Sequence, residues 1–305
     1  MNKLITDIKH LQLETLSNLK NSKAANTLRA YRSDFNDFEI FCSKNNFKSL
    51  PSDPKIITLY LTHLSKIMKF STLKRRLASI SVVHKLKGHY IDIKHPLIME
   101  NLLGIKRVIG SAQRGKKPIL INDLKLIIKA ISSSNIKFLR KTRDIAIILI
   151  GFAGGFRRSE LVEIAIEDTE FVSEGVKIYV KKSKTDQSGE GMTKAIPYFI
   201  NSEYCPVENL KKWINLANIN NGKIFNISDK SVSIIIKKYA SKAGLNPEKY
   251  AGHSLRSGFA TSTAESGAEE RNIMAMTGHK STQMVRRYIQ EANLFKNNAL
   301  NKIKI

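Results

Sequence analysis

One apolar segment constrains the fold of this chain more than any other feature: IAIILIGFAGGF, from Ile145 to Phe156. It is far shorter than the ~20 residues that a membrane-spanning helix needs. In a 305-residue chain with 42% hydrophobic residues, such a run is typical of a buried helix in a globular core. We therefore expect a soluble protein whose second half is built around this helix.

The rest of the chain follows a helical pattern that is interrupted once. Apolar residues recur at steps of three and four in the first third and again from Pro206 onward. Asp53 followed by Pro54 predicts the start of one helix, and Ser71 is the predicted cap of the next. Between Ile166 and Ile200, two segments rich in β-forming residues, VKIYVKK and TKAIPYF, show a strand-like pattern. The turn-rich segment SKTDQSGEG lies between them. The expected fold class is mainly α with a small antiparallel β-sheet and a lysine-bearing hairpin.

A basic, glycine-bearing segment divides the chain. GSAQRGKKP, residues 110–118, has no large apolar side chain to anchor it and is the best linker candidate. We therefore expect two domains, a helical one over 1–109 and a mixed α+β one over 119–305 that ends in a C-terminal tail.

The N-terminus and the cysteines point to a cytoplasmic chain. MNKLITDIKHLQLE has no continuous apolar stretch, so we expect no signal peptide. Two cysteines, Cys42 and Cys205, are too few for a disulfide framework and indicate reduced thiols.

The net charge of +25, from 51 Lys and Arg against 26 Asp and Glu, indicates a polyanionic partner. Nucleic acid is the usual one, and a basic surface kept for solubility or a ribosome-associated protein is the alternative. The tentative DNA contacts lie on the predicted helix Ser71–Lys87, on the linker and after the apolar helix: Lys74, Arg75, Arg76, Lys85, Arg114, Lys116, Lys117 and Arg158. On Ser71–Lys87, a solvated basic face explains the charges equally well.

Three clusters in the second domain carry side chains suited to phosphate chemistry. GGFRRSEL places two arginines and a glutamate after the apolar helix, and GHSLRSGFAT places His253 and Arg256 on one helical turn. TGHKSTQMVRRYIQ places a tyrosine nine residues after a Gly-His pair. Each cluster alone has a structural explanation, respectively an Arg–Glu ion pair, the start of a surface helix, and a half-buried packing tyrosine.

In combination, the clusters resemble the tyrosine recombinase (phage integrase) family. The resemblance covers about Ile119 to Gln290 and rests on Gly-Phe-Arg-x-Ser-Glu-Leu, His-Ser-Leu-Arg, and Gly-His followed by the tyrosine. ANTLRAYRSDFNDF is similar to the family's core-binding domain. The resemblance implies a helical core-binding domain that clamps DNA and an α+β catalytic domain.

Matching motif by motif, the resemblance also implies roles for single residues. The implied catalytic residues are Arg157, Lys184, His253, Arg256, His279 and Tyr288, with Glu160 as a supporting acidic residue. The arginines and the second histidine would hold the phosphate oxygens while the tyrosine attacks phosphorus. The phenol proton would pass to His253, and Lys184 would protonate the leaving 5′-oxygen.

Two of these assignments have close competitors. Arg158 is the neighbour of Arg157 and could take the place of the first arginine. Lys181 and Lys182 lie near Lys184 and could supply the general acid.

The resemblance implies a site-specific recombinase that cleaves and rejoins duplex DNA through a covalent 3′-phosphotyrosyl link, as a tetramer on two DNA sites. The link stores the phosphodiester energy, so we expect no cofactor, neither ATP nor metal. His253 and His279 have no Cys, Asp or Glu at ligand spacing beside them, which also predicts no metal site. The tail, Leu294–Ile305, could dock on a neighbouring protomer or on its own domain.

Two other functions remain open from sequence. A type IB topoisomerase shares the arginine, histidine and tyrosine chemistry, although the His-Ser-Leu-Arg string and the chain size favour a recombinase. A catalytically inactive DNA-binding regulator on the same fold is the second alternative.

Overall fold

The computed structural model describes residues 8–21, 24–111, 115–181, 190–293, 295 and 298–303. The chain divides into two compact units, Met1–Arg114 and Gly115–Ile305. Arg114, Lys182 and Lys184 of the sequence analysis lie outside the described residues, as do the two ends of the predicted tail, Leu294 and Ile305. Across the described ranges, no helix is long and apolar enough to cross a membrane.

The N-terminal unit is helical. Its helices are α1 (Ile8–Asn21), α2 (Ala25–Lys44), α3 (Pro54–Ser65), α4 (Phe70–Leu86) and α5 (Pro96–Ile109). Helix α2 packs on α4 and α3 packs on α5, around a core that includes Phe38, Tyr60, Leu73 and Ile80.

Local sequence explains where some of these helices begin. The predicted start of α3 is confirmed, since the Asp53 carboxylate accepts a hydrogen bond from the backbone N–H of Lys55 and Pro54 occupies the first turn. The predicted cap at Ser71 is wrong. Helix α4 already begins at Phe70, and the Lys69 carbonyl accepts the first backbone hydrogen bonds.

The C-terminal unit combines helices with a small sheet. Its helices are α6 (Ile121–Ser132), α7 (Phe138–Ala153), α8 (Arg158–Val162), α9 (Pro206–Leu216), α10 (Asp229–Lys242), α11 (His253–Glu265), α12 (Glu270–Thr277) and α13 (Thr282–Asn293). Its strands are β1 (Thr169–Val172), β2 (Gly175–Val180) and β3 (Met192–Pro197). The prediction of a buried central helix is confirmed, because α7 is buried from Ala146 to Ala153.

The strands form an antiparallel sheet in the order β1-β2-β3. Val176, Ile178 and Val180 of β2 point into the core, and Ile178 pairs with Lys194 of β3. Strand β1 was not anticipated, because its four residues are mostly half-buried and show no clean alternation. The expected fold class, mainly α with a small antiparallel sheet, is confirmed.

Candidate active site

The C-terminal unit brings five of the predicted catalytic residues together. Arg157 caps α8, His253 and Arg256 lie on the first turn of α11, His279 follows α12, and Tyr288 lies on α13. Helix α11 packs against α7, α12 and α13, so it is the element that gathers the other motifs.

Tyr288 packs into an apolar cluster while its hydroxyl contacts His253. Its side chain is only 6% exposed and belongs to a small apolar cluster with Ala260, Ile273 and Val285. Its hydroxyl lies 3.2 Å from Nε2 of His253. The packing interpretation of this tyrosine and the chemical one are therefore both satisfied by the same side chain.

His253 is placed to accept the proton of that hydroxyl. Desolvation inside the site and then the charges of Arg256, Arg157 and Arg158 lower the pKa of His253 below its ordinary 6.5. The imidazole is therefore neutral at pH 7, which is the form that can act as a base.

Arg256 connects the first and last motifs. Its side chain is 1% exposed, and it donates to the Gly155 carbonyl at 2.9 Å and to Nε2 of His279 at 3.1 Å. Burial, and next the charge of Arg157, lowers the pKa of Arg256 to about 10. The guanidinium therefore remains charged at neutral pH.

The tautomer of His279 follows from its neighbours. Since Arg256 can only donate, Nε2 is the acceptor and the ring proton sits on Nδ1. Nδ1 then donates to Oγ1 of Thr277 at 2.7 Å, and that hydroxyl donates to the Ile273 carbonyl at 2.6 Å. Burial, with Arg256 as the next cause, lowers the pKa of His279 to about 4, so the ring is neutral. In this arrangement Nε2 carries no proton, and His279 can donate from it to a phosphate only after Arg256 has moved and a proton has been gained.

The structure separates the two adjacent arginines. Nη1 of Arg157 donates to Oε1 of Glu160 at 2.6 Å, and the other carboxylate oxygen accepts from the Arg157 backbone N–H at 3.0 Å. Arg158 instead donates to Oγ of Ser233 at 2.9 Å and packs against Gly252, where an added Cβ would lie 1.8 Å from its Cδ. Arg157 and Glu160 thus belong to the cluster, whereas Arg158 ties α8 to α10 and to the start of α11.

The hairpin lysines are only partly described. Lys181, at the end of β2, is exposed and pairs with Asp168 at 2.7 Å, a contact that raises its pKa. Lys182 and Lys184 lie outside the described residues, so the assignment of Lys184 stays a prediction.

Sequence reasoning missed Lys194. It lies on β3 with its side chain fully buried, and Nζ donates to the carbonyls of Gly154 at 2.7 Å and Met276 at 2.6 Å. The strand pattern did contain a signal, because Lys194 pairs with the inward-facing Ile178 and shares its face with Ile196. A lysine at an inward position of a strand is exceptional.

Two of the tentative DNA contacts in the N-terminal unit are occupied by other partners. Arg75 pairs with Asp34, and Arg76, which is nearly buried, pairs with Asp37 and donates to the Tyr60 hydroxyl at 2.7 Å. These arginines link α4 to α2 and α3, which favours a structural role for them.

The remaining tentative DNA contacts differ in whether their side chains have partners within the protein. Lys74 and Lys85 are exposed on α4. Lys116 donates to the Glu248 carbonyl at 2.6 Å, and Lys117 pairs with Asp123 at 3.1 Å. Both linker lysines are therefore anchored on the C-terminal unit. As for metals, the described residues hold no group of three or more His, Cys, Asp or Glu that could bind one.

Comparison with known proteins places this arrangement in context. The family model described as "Phage integrase family" matches residues 119–294. An integrase/recombinase XerD homolog of Selenomonas ruminantium is 41% identical over 99% of this chain and 92% of its own length. The tyrosine recombinase XerC of Staphylococcus haemolyticus is 24% identical over 94% of each chain.

Solved structures show the same fold. The XerH site-specific recombinase bound to a palindromic difH substrate superposes with a TM-score of 0.66, at 17% identity, over 87% of this chain and 76% of that one. A lambda integrase tetramer bound to a Holliday junction superposes with a TM-score of 0.60, at 21% identity, over 97% of this chain and 80% of that one.

Proposed function

The chain belongs to the phage integrase family, and from this membership we propose that it is a site-specific DNA recombinase that cleaves and rejoins duplex DNA through Tyr288. The observation that carries the proposal is the 3.2 Å contact between the Tyr288 hydroxyl and a neutral His253, beside two arginines. A phenol has an ordinary pKa near 10, so it becomes a nucleophile at neutral pH only with a base and a cationic setting of this kind.

The cleavage step transfers two protons, one from the attacking hydroxyl and one to the leaving oxygen. Oη of Tyr288 attacks phosphorus while its proton passes to Nε2 of His253, and a 3′-phosphotyrosyl bond forms. The bond to the 5′-oxygen breaks, and Lys184 gives that oxygen a proton. Arg157 and Arg256 hold the non-bridging oxygens, on which negative charge grows.

Rejoining reverses these steps, with the 5′-hydroxyl of a second strand as the nucleophile. Because the protein–DNA bond conserves the energy of the phosphodiester, neither ATP nor a metal is required. Glu160 holds Arg157 in place through both its carboxylate oxygens and does not touch the DNA.

The net charge of +25 supports a large role for phosphate contacts in binding. We propose that residues 1–109 form the core-binding domain, that 110–118 link it to the catalytic domain, and that the two close around duplex DNA at the nucleoid, in the cytoplasm. Lys74 and Lys85, which are exposed on α4, are the better candidates there than the paired arginines beside them.

Assembly into a tetramer on DNA is the second part of the proposal. Phe295 is 87% exposed, and Leu300 and Ile303 are exposed as well. The same unit carries an apolar cavity of about 590 Å³ lined by residues such as Phe152, Pro197, Phe199 and Phe259. Since these apolar tail residues are exposed and the same unit carries an apolar cavity, we propose that the tail of one protomer docks into the cavity of the next.

Two variants test the docking. A chain that ends at Asn293 and an Ala195→Trp variant, which fills the cavity from β3, are each expected to cleave DNA but to sediment as smaller DNA complexes than the wild type. Tetramers formed on DNA by both variants would refute tail docking and leave the cleavage chemistry untouched.

The function itself is tested by covalent capture. The wild-type chain is incubated with sheared genomic DNA of its source, covalent complexes are collected in SDS, and the attached fragments are sequenced. The proposal predicts one recurrent site, and a plasmid carrying two copies of it should undergo exchange between them. Relaxation of supercoils without exchange would support the topoisomerase alternative, and binding without capture would support an inactive regulator.

A further inference from the structure

A buried lysine ties together the two segments that carry Arg157 and His279. Nζ of Lys194 donates to the Gly154 carbonyl at 2.7 Å and to the Met276 carbonyl at 2.6 Å. Gly154 begins the turn that leads to Arg157, and Met276 lies in the last turn of α12, three residues before His279. In the chain, Lys194 lies 40 residues from Gly154 and 82 residues from Met276, so its two hydrogen bonds join segments that the local sequence does not connect.

The position of Lys194 disfavours the charged form of its side chain. Lys194 is 0% exposed, with the Phe156 ring 4.5 Å from Nζ and the nearest carboxylate, that of Glu160, at 4.0 Å. Arg256 and Arg157 oppose its charge, and burial is the main cause that lowers the pKa of Lys194 to about 7. Burying an ammonium group costs desolvation free energy that an apolar side chain of similar size does not cost, so packing alone does not explain a lysine here.

We propose that Lys194 is a positioning residue for DNA cleavage, whose two hydrogen bonds hold the turn before Arg157 and the end of α12 at a fixed separation. This inference rests on the proposed function. With that separation fixed, Arg157 and His279 can contact the same phosphate.

A second tie between these segments shows why Lys194 is needed during the reaction. Arg256 also bridges them, from the Gly155 carbonyl to Nε2 of His279. When Arg256 turns its guanidinium to the phosphate, it gives up the bond to His279. Because Lys194 is fully buried, we expect its tie to persist when that of Arg256 is lost.

Two substitutions separate positioning from packing. Lys194→Met keeps the length and removes the donors, whereas Lys194→Arg keeps buried donors but fits the space less well. Lys177→Met is the matched control, because Lys177 is an exposed lysine on the neighbouring strand that pairs with Glu170 at 3.4 Å.

The measurement is single-turnover formation of the covalent adduct on a nicked duplex, together with the Kd for DNA and the unfolding midpoint. We expect Lys194→Met to bind DNA normally and to cleave at least about 100-fold more slowly, as a displacement of ~1 Å in a site can cause. Lys194→Arg should stay within about tenfold of the wild type, since it keeps the donors. Lys177→Met should be unchanged.

A DNA substrate in which sulfur replaces the bridging 5′-oxygen distinguishes this role from proton donation, because the sulfur leaves without needing a proton. A misplaced Arg157 or His279 is not repaired by a better leaving group, so Lys194→Met should remain slow on it. Full recovery on the sulfur substrate would make Lys194 the proton donor and overturn the proposal.

Other outcomes are equally decisive. Wild-type-like cleavage by Lys194→Met would overturn the proposal, as would a folded, DNA-binding Lys194→Arg that is as slow as Lys194→Met. If Lys194→Met does not fold, the rate of Lys194→Arg alone decides. The absence of any adduct from the wild type would instead contradict the proposed function.

Discussion

Replacing either of two adjacent arginines should have very different effects on cleavage. Arg157 belongs to the cluster around Tyr288 and is held by Glu160, whereas Arg158 points to Ser233 on α10. Removing one donor that stabilises a charged transition state costs about 2.7–4 kcal/mol, or about 10²–10³ in rate. We therefore expect Arg157→Ala to lose at least ~10²-fold in the rate of adduct formation. Arg158→Ala should lose less than about tenfold, because its partners are structural.

The stability of Arg157→Ala must be measured beside its rate. Glu160 is buried, and without the guanidinium its carboxylate keeps the backbone N–H of residue 157 at 3.0 Å as its nearest partner. Losing one charged hydrogen bond costs about 1.5–3 kcal/mol, which in a domain of this size lowers the unfolding midpoint by about 3–12 °C. The rate must therefore be measured well below that midpoint.

The assay is adduct formation on a nicked duplex with protein in excess, quenched in SDS and resolved by electrophoresis. Arg157→Lys is a useful third variant, because it keeps a charge but loses the planar fork, and it should fall between the wild type and Arg157→Ala. If Arg158→Ala proved to be the slow variant and Arg157→Ala the mild one, the assignment of the first arginine would be off by one residue.

Three further predictions concern the proton transfers and the second histidine. The base must be neutral and the pKa of His253 is held below 6.5, so the cleavage rate of the wild type should fall only as the pH drops below that value. His253→Gln should cleave about 10²–10⁴-fold more slowly and should not show this decrease at low pH. A His253→Gln variant with the pH profile of the wild type would exclude His253 as the base. Lys184→Ala should be badly impaired on ordinary DNA and largely rescued on the sulfur-bridged substrate, with Arg256→Ala rescued on neither; rescue of Lys182→Ala instead would move the general acid to Lys182. Thr277→Val removes the acceptor of the Nδ1 proton of His279. It should slow cleavage about tenfold, which corresponds to the loss of one neutral hydrogen bond, without changing the Kd for DNA. A normal rate would show that Arg256 alone fixes the tautomer of His279.

Much of the fold was predictable because periodicity and capping residues act locally. The buried helix around Ile145–Ala153 and the start of α3 at Asp53–Pro54 follow from such signals. Strand β1 was missed because its four residues are held by pairing with β2, which local propensity does not reveal. The Ser71 cap failed for a related reason, since tertiary packing overrides a weak local preference.

The candidate site was predictable where residue types and spacing carry the chemistry. Arg256, His253 and Tyr288 are such residues, and the structure brings them together. The tautomer of His279 depends on Arg256, 23 residues away in the chain, and the buried tie by Lys194 reaches Met276, 82 residues away. The structural role favoured for Arg76 has the same origin, because its partners Asp34 and Asp37 lie on another helix.

The central claim is that Tyr288 forms the covalent bond to DNA. The most direct measurement is mass spectrometry of the peptide that remains attached to a nicked duplex after SDS quenching and proteolysis, for the wild type and for Tyr288→Phe. We predict a single modified peptide that contains Tyr288 in the wild type, and a Phe variant that binds the same DNA with the same Kd but yields no adduct. An SDS-resistant complex from Tyr288→Phe, or a wild-type adduct on any other residue, would contradict it.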